Sequence, residues 1–507
     1  MVRSRFLAVI ILLLSYNTGG AQTTANSYKE QYRPQIHFSP KEHWMNDPNG
    51  MVYYNGIYHL FFQYYPGGTV WGPMHWGHAT SKDLIHWQQQ PVALYPDSLG
   101  YIFSGSAVVD KNNTSGFGRH GKVPLVAIFT SHNPHAAPGA IDFENQSLAY
   151  SLDNGKTWTK YSGNPVLKNP GIPDFRDPKV MWYGPENKWV MTLATRDRVT
   201  FYSSKDLKHW SKESEFGQSA GAHGGVWECP DLFPLKYKGE TVWILIVNVN
   251  PGGPNKGSAT QYFTGDFDGN KFNPNSSKTK WIDYGPDEYA GITWNNTGNR
   301  RIFLGWMSNW LYANEVPTVK WRNAMTIPRN LSLQKIGQEM YVISEPADEL
   351  KLIARKAVVK TNVTVSKTTD LSGLIRQDVS LPCRIDLRMS QLNNFSVILS
   401  GKLNRKLMVG YDKESNRYYI DRTMAGKSDF NKEFAEKHFA PRIAESKEMK
   451  LSIIVDESSI ELFADGGLSV MTSVFFPEKP YDRIEISAPG NVVINQITYT
   501  PLKSIWH

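Results

Sequence analysis

An all-β chain, a five-bladed β-propeller followed by a β-sandwich, is the architecture the sequence predicts, and three observations predict it. Between about residues 30 and 345, short apolar and aromatic runs are broken by Gly, Pro, Asn and Asp, as in Gly50-Met-Val-Tyr-Tyr-Asn-Gly56 followed by Ile57-Tyr-His-Leu-Phe-Phe62. These read as strands joined by tight turns, and no stretch of twelve residues keeps a helical apolar period. A motif also recurs, Ser81-Lys-Asp83-Leu-Ile-His-Trp87, Ser151-Leu-Asp153-Asn-Gly-Lys-Thr-Trp158 and Ser204-Lys-Asp206-Leu-Lys-His-Trp210, at blade-like intervals. At some sixty residues per blade, the region holds about five blades. Finally, beyond a connector at 346–358 containing Glu349-Leu-Lys-Leu-Ile-Ala-Arg-Lys, the pattern changes to alternating runs such as Lys450-Leu-Ser-Ile-Ile-Val455, Ser459-Ile-Glu-Leu-Phe463 and Arg483-Ile-Glu-Ile-Ser487. Short strands of this kind over 359–507, with the turn signal Asp465-Gly466, predict a sandwich.

The first residues have a different character. Arg3 and Arg5 precede an apolar run from Phe6 to Leu14, and small residues follow at Gly19-Gly20-Ala21. This is the layout of a secretory signal peptide over 1–21, too short to span a bilayer and without a nearby cysteine for lipid attachment. Export to a periplasm or to the medium is the expectation, with no membrane span after cleavage. About 485 residues then remain, more than one ordinary core accommodates, which independently suggests two domains.

Composition narrows the chemistry. Charged residues make up 20% of the chain and aromatics 13%, with 16 Trp and 25 Tyr, the profile of a folded protein. The net charge of +8 is spread without basic blocks, so nucleic acid is not an expected partner. Cys229 and Cys383 fall in different predicted domains, which argues against a disulfide framework. Neither metal-ligand spacings nor phosphate or dinucleotide loops occur, and His75 and His78 lack a third ligand at suitable spacing. No metal and no cofactor are therefore expected.

Three acidic motifs remain: Trp44-Met-Asn46-Asp47-Pro-Asn-Gly50, Phe175-Arg176-Asp177-Pro178 and Trp227-Glu228-Cys229-Pro230. Each carboxylate sits among Trp, Pro, Gly or Asn, where a solvated surface charge is unusual. In a propeller the first strands of the blades converge on the axis, so acids from separate blades can meet in one funnel. A retaining glycosidase needs such a pair, one carboxylate to attack the anomeric carbon and a second to protonate the leaving oxygen. Glu228, beside Trp227 and Cys229, suits the acid, whose proton affinity must be raised; Asp47, beside Asn46 and Asn49, suits the nucleophile. Spacing alone leaves turn-forming aspartates or buried ion pairs as alternatives.

The motifs, together with Gln63, Trp71-Gly, His75-Trp-Gly-His78, Phe103-Ser-Gly-Ser106, Gly305-Trp-Met-Ser-Asn-Trp310, Val316-Pro-Thr and Trp321-Arg, closely resemble family 32 of the glycoside hydrolases, the invertase, inulinase and levanase group. The resemblance covers nearly the whole mature chain. It implies a propeller followed by a sandwich, no cofactor, and a fructan or fructo-oligosaccharide substrate whose β-fructofuranosidic bond is cleaved with retention. By the same resemblance Asp47 is the nucleophile, Glu228 the acid and then base, and Asp177 a stabiliser of the oxocarbenium-like transition state. It implies substrate contacts for Trp44, Asn46, Gln63, Trp71, Phe103, Ser104, Arg176 and Trp310. The aromatics among them are also readable as core residues, and Arg176 as a group that orients a neighbouring carboxylate.

Tyr65 and Pro73 stand where relatives often carry Asn, and Glu457 where an Arg is common; the first two bear on substrate choice. The motif set around Trp71, Phe103 and Trp310 favours exo release of fructose over endo cleavage. Fructosyl transfer and binding without cleavage are the competing activities, and a monomer or a homodimer fits equally.

Overall fold

The computed structural model describes residues 28–506, so the signal peptide expected over 1–21 lies outside the described residues. Five antiparallel sheets form the propeller, and a sixth sheet folds into the C-terminal sandwich. The innermost strands of blades I to V are His43–Tyr54, Tyr101–Val109, Phe175–Tyr183, Val226–Tyr237 and Tyr289–Thr293. The short strand Trp321–Arg322 returns from the last blade to pair in parallel with His43–Trp44, which closes the ring onto blade I.

Apolar clusters fill the gaps between consecutive blades. Phe61 and Trp76 of blade I meet Ile102 and Phe129 of blade II; Ile128 and Leu148 meet Val180 and Met191 of blade III; Phe201 meets Trp227 and Leu245 of blade IV; Phe233 and Ile244 meet Phe303 of blade V. Blade V, blade I and the sandwich share one further cluster that includes Trp44, Trp306 and Phe463. The closed ring leaves each sheet covered on both faces, the reason its strands carry so many aromatics.

The recurring Ser-Asp-Trp motif is the turn leaving the third strand of blades I, II and III. In each, the serine hydroxyl bonds the aspartate, at 3.0, 2.7 and 3.2 Å, and the aspartate accepts backbone N–H groups of the turn. Each tryptophan then donates its indole N–H to a carbonyl three residues back, of Leu84, Gly155 and Leu207. The motif thus satisfies the backbone groups of a bend that a plain β-turn would leave open.

The propeller strands end at Pro346, and a 3-10 helix, Asp348–Ile353, buries Leu350 and Ile353 before the first sandwich strand, Val358–Asp370. The two sandwich layers are joined by the long strand Arg483–Pro501. Its first part pairs with Ser396–Ser400 in one layer and its last part with Cys383–Arg388 in the other, while Val358–Asp370 follows it along both. Asp465 and Gly466, both with positive φ, make the turn between Ser459–Ala464 and Ser469–Val474.

Buried ion pairs weld the two domains. His37 bridges Asp456 at 2.7 Å and Glu461 at 2.8 Å, and Arg329 reaches Glu461 at 2.5 Å and Asp283 at 2.9 Å, all with fully buried side chains. With a carboxylate on each ring nitrogen, His37 must be an imidazolium, and those carboxylates outweigh burial to lift its pKa to about 9. Glu457 lies beside this cluster, where burial and Asp456 raise it to about 7. Both cysteines are buried and free.

Candidate active site

Each of the five innermost strands carries the same irregularity at one level of the axis. Asn46 and Asp47 together face Gln63; Phe103 and Ser104 face Thr130; Asp177 and Pro178 face Leu193; Cys229 and Pro230 face Val247; Ala290 and Gly291 face Gly305. Two residues opposing one is a β-bulge, which interrupts the ladder, bends the strand and re-aims its side chains. Asp177, Cys229 and Ala290 take positive φ there, of 63°, 43° and 53°. The prolines of the three acidic motifs fall at these interruptions, where the ladder can dispense with an N–H. Freed backbone groups are satisfied from side chains: Thr130 Oγ1 of blade II accepts from Asp177 N, and Asn248 of blade IV donates to Cys229 O of its own blade while accepting from Gly291 N of blade V.

The bulges aim Asp47, Asp177 and Glu228 into one cavity of about 480 Å³, whose wall also includes Asn46, Gln63, Trp71, Phe103, Ser104, Arg176 and Trp310. Asp47 accepts from Ser104 Oγ at 2.7 Å and Asn46 Nδ2 at 2.9 Å. Asp177 accepts from Cys229 N at 3.0 Å. The Cys229 sulfur lies 3.7 Å from Asp47 and 3.6 Å from Asp177, so the two carboxylates flank one atom. Burial and these carboxylates push that thiol up, keeping it a neutral filler.

Glu228 is gripped from both sides. Arg176 donates through Nε at 3.1 Å and Nη2 at 3.0 Å to one oxygen, and the Tyr289 hydroxyl donates to the other. Arg176 is itself held by Asp174 at 2.6 Å and Glu144 at 3.3 Å, and Glu144 by His132, on which Phe103 stacks at 4.1 Å. Burial raises the pKa of Glu228, with Arg176 opposing and Asp47 adding to the rise. Asp177 is driven well above the usual carboxylate range by burial and by Glu228. Burial thus raises the proton affinity of two of the three acids. Gln63 is buried, and its Nε2 has no partner among the described residues, which leaves a donor in the wall free for a ligand.

Trp44 departs from expectation. It is fully buried and absent from the cavity wall, stacking beneath Trp310 at 5.9 Å and donating its indole N–H to Asn46 at 2.7 Å. Buried outside the wall, it braces two wall residues, Asn46 and Trp310. His75 and His78 bond Pro73 O and His59, and among the described residues no cluster of three His, Cys, Asp or Glu could hold a metal ion. Tyr289, Glu144, His132, Phe143 and Asn314 were not apparent from the sequence motifs; only the blade count, which calls for a fifth inner strand, pointed towards Tyr289.

Tyr65 underlies the rim. Its ring lies so close to Gly67 and Gly72 that a Cβ on either would come within 2.6 Å of it. The loop folded over Tyr65 presents Trp71, whose N–H bonds Asn314 at 2.9 Å and so ties blade I to blade V across the rim.

A central funnel in which acids from separate blades share one pocket, with the proton affinities of Glu228 and Asp177 raised by burial, is the site of a carboxylate-dependent glycoside hydrolase. The chain belongs to glycoside hydrolase family 32. Residues 37–346 match the model of the glycosyl hydrolases family 32 N-terminal domain and residues 349–501 that of the family 32 C-terminal region. The chain is 46% identical to a levanase of Bacillus subtilis, over 100% of its own length and 76% of that protein's. It is 41% identical to an extracellular exo-inulinase of Aspergillus awamori, covering 92% and 94%. The crystal structure of an exo-inulinase from that fungus superposes with a TM-score of 0.88 at 39% identity, covering 94% of this chain and all of the other. A β-fructofuranosidase of Schwanniomyces occidentalis complexed with fructosyl-erythritol gives 0.85 at 32% identity, covering 94% and 99%.

Proposed function

We propose that this enzyme is an exported, exo-acting fructanase that releases fructose from levan, inulin or sucrose with retention of configuration. The observation that carries the reading is the meeting of Asp47, Asp177 and Glu228 in one buried-walled pocket. Asp47, oriented by Ser104 and Asn46, attacks the anomeric carbon of the terminal fructofuranosyl unit, while protonated Glu228 delivers its proton to the departing glycosidic oxygen. Glu228 is then the base that takes a proton from water, which opens the fructosyl ester on Asp47. Asp177, held by Cys229 N, bonds ring hydroxyls and strengthens that contact as the oxocarbenium-like charge grows. Trp71, Phe103 and Trp310 supply apolar faces, and Asn46, Gln63 and Arg176 supply polar contacts.

The exo reading rests on the rim. The Trp71–Asn314 hydrogen bond joins the loops of two blades above the pocket, and Asn431 of the sandwich holds the second loop through Leu311 O and Glu315. Loops held in this way support a pocket suited to a chain end. Export follows from the signal-like residues 1–21, and no helix among the described residues is long and apolar enough to cross a membrane.

The test is product analysis on sucrose, inulin and levan with Asp47→Asn and Glu228→Gln alongside. Fructose alone from the earliest times, lost in both variants, is the expected result. A ladder of fructo-oligosaccharides would replace exo with endo action, transfer products would point to a fructosyltransferase, and no product from any substrate would leave a binding protein.

A further inference from the structure

The propeller channel has a second mouth. At the end opposite the catalytic pocket lies a cavity of about 330 Å³ that shares no lining residue with it. A plug separates them: Lys179 pairs with Asp231 at 3.2 Å and bonds Thr293 O, and Asn295 donates to Ala107 O at 2.8 Å and Val180 O at 3.2 Å. The far cavity is walled by the half-buried indoles of Trp182 on blade III and Trp243 on blade IV, together with Arg301, Asp231 and Thr297. Both indoles are held by neighbouring rings, Trp182 edge-on to Trp189, which also lines the cavity, at 4.9 Å and Trp243 edge-on to Phe267 at 5.2 Å. Arg301 spends Nη1 on Gly298 O and Arg300 O, which leaves Nη2 without a hydrogen-bond partner among the described residues.

We propose that this rear cavity is a second, non-hydrolytic binding site for a neutral sugar chain, the polymeric substrate of the same enzyme; the substrate identity rests on the fructanase reading above. Held indole faces take up C–H surfaces, and the guanidinium of Arg301 has donors to give to hydroxyls. Asp231 is neutralised by Lys179 beneath the wall, a basic ligand would meet Arg301, and the two indoles call for an apolar side, so a sugar with C–H faces and hydroxyls fits the wall. Aromatic faces beside an arginine and a carboxylate are also the chemistry of the catalytic pocket. Hydrolysis is excluded there, because the one carboxylate in the wall, Asp231, already accepts from Thr293 N at 2.7 Å and Thr293 Oγ1 at 2.8 Å and no second acid stands beside it. A polymer retained at the rear raises the local concentration of its own chain ends at the front.

The experiment uses the full chain. Two rear-site variants, Trp182→Ala and Thr297→Trp, which adds bulk to the wall, are made alone and in the Glu228→Gln background. Retardation of the Glu228→Gln proteins is measured in native gels containing soluble levan or inulin, and the otherwise unmodified variants are assayed on sucrose and on polymer. The expected result is at least a fivefold loss of retardation and a several-fold rise in KM for polymer, with kcat/KM on sucrose within about twofold of the parent. Unchanged retardation in both variants overturns the proposal, and so does an equal loss on sucrose and polymer, which marks a structural defect. Inactivity of the parent on every fructoside is read before any variant is made; it removes the fructanase reading and the proposal with it.

Discussion

Replacing Tyr289 by Phe isolates one contact on Glu228, proposed above as the general acid. The Tyr289 hydroxyl donates to the Glu228 oxygen that Arg176 leaves free, and this bond favours the ionised carboxylate, opposing the upward push of burial. A hydrogen bond to a charged group is worth about 1.5–3 kcal/mol, and about 1.4 kcal/mol corresponds to one pH unit. Without it, Glu228 keeps its proton to higher pH. The alkaline limb of kcat/KM reports the loss of that proton in the free enzyme, so it moves upward by about one to two pH units. The second chemical step suffers in the opposite sense, because it needs ionised Glu228 as base, so kcat at mildly acidic pH falls. The assay is the pH dependence of kcat/KM and kcat on sucrose, with the melting temperature taken in parallel. An alkaline limb that stays in place or moves down, in a variant that melts like its parent, refutes the assignment of Glu228 as the acid or of Tyr289 as its partner.

Ser104→Ala removes the 2.7 Å donor to Asp47 and is expected to lower kcat/KM on sucrose by about 10- to 100-fold, the equivalent of about 1.5–3 kcal/mol; a change below twofold would deny Asp47 the reacting role. Arg176→Lys keeps the charge but loses the fork that spans Glu228, Asp174 and Glu144, so a fall in kcat of at least about tenfold is expected, read by steady-state kinetics. Asn314→Ala cuts the tie to Trp71 and is expected to raise KM several-fold while kcat changes little, with oligosaccharides joining fructose among the early products from inulin. At the domain interface, the folded-state pKa of His37 lies above its unfolded value, at about 9 against 6.5. The stabilisation it confers is complete below pH 6.5 and is lost as pH rises through 9, on the order of 3 kcal/mol in all. Melting curves from pH 6 to 10 should therefore fall more steeply for the parent than for His37→Gln, whose Asp456 and Glu461 are left without the imidazolium at every pH.

The sequence by itself determined whatever is local in the chain. Alternating apolar runs fixed strands, Asp465-Gly466 marked a hairpin, and the Ser-Asp-Trp motif marked a blade turn, because each turn is closed by groups within seven residues of one another. The acidic motifs were legible for a related reason: a carboxylate beside proline and tryptophan is costly unless the fold uses it. What the tertiary structure decided is everything that depends on which strands meet. Trp44 and Trp71 look alike as tryptophans in motifs, yet one is fully buried under Trp310 and the other stands at the rim, since the bulge that begins at Asn46 sets which side chains face the axis. Tyr289 lies 61 residues from the acid it contacts, and Glu144, held by His132, reaches Arg176 from another blade, so no spacing rule could join them. The raised proton affinity of Glu228 was foreseen from its apolar neighbours, but Arg176 and Tyr289 oppose that rise from other strands, and only the closed ring brings them to the same carboxylate.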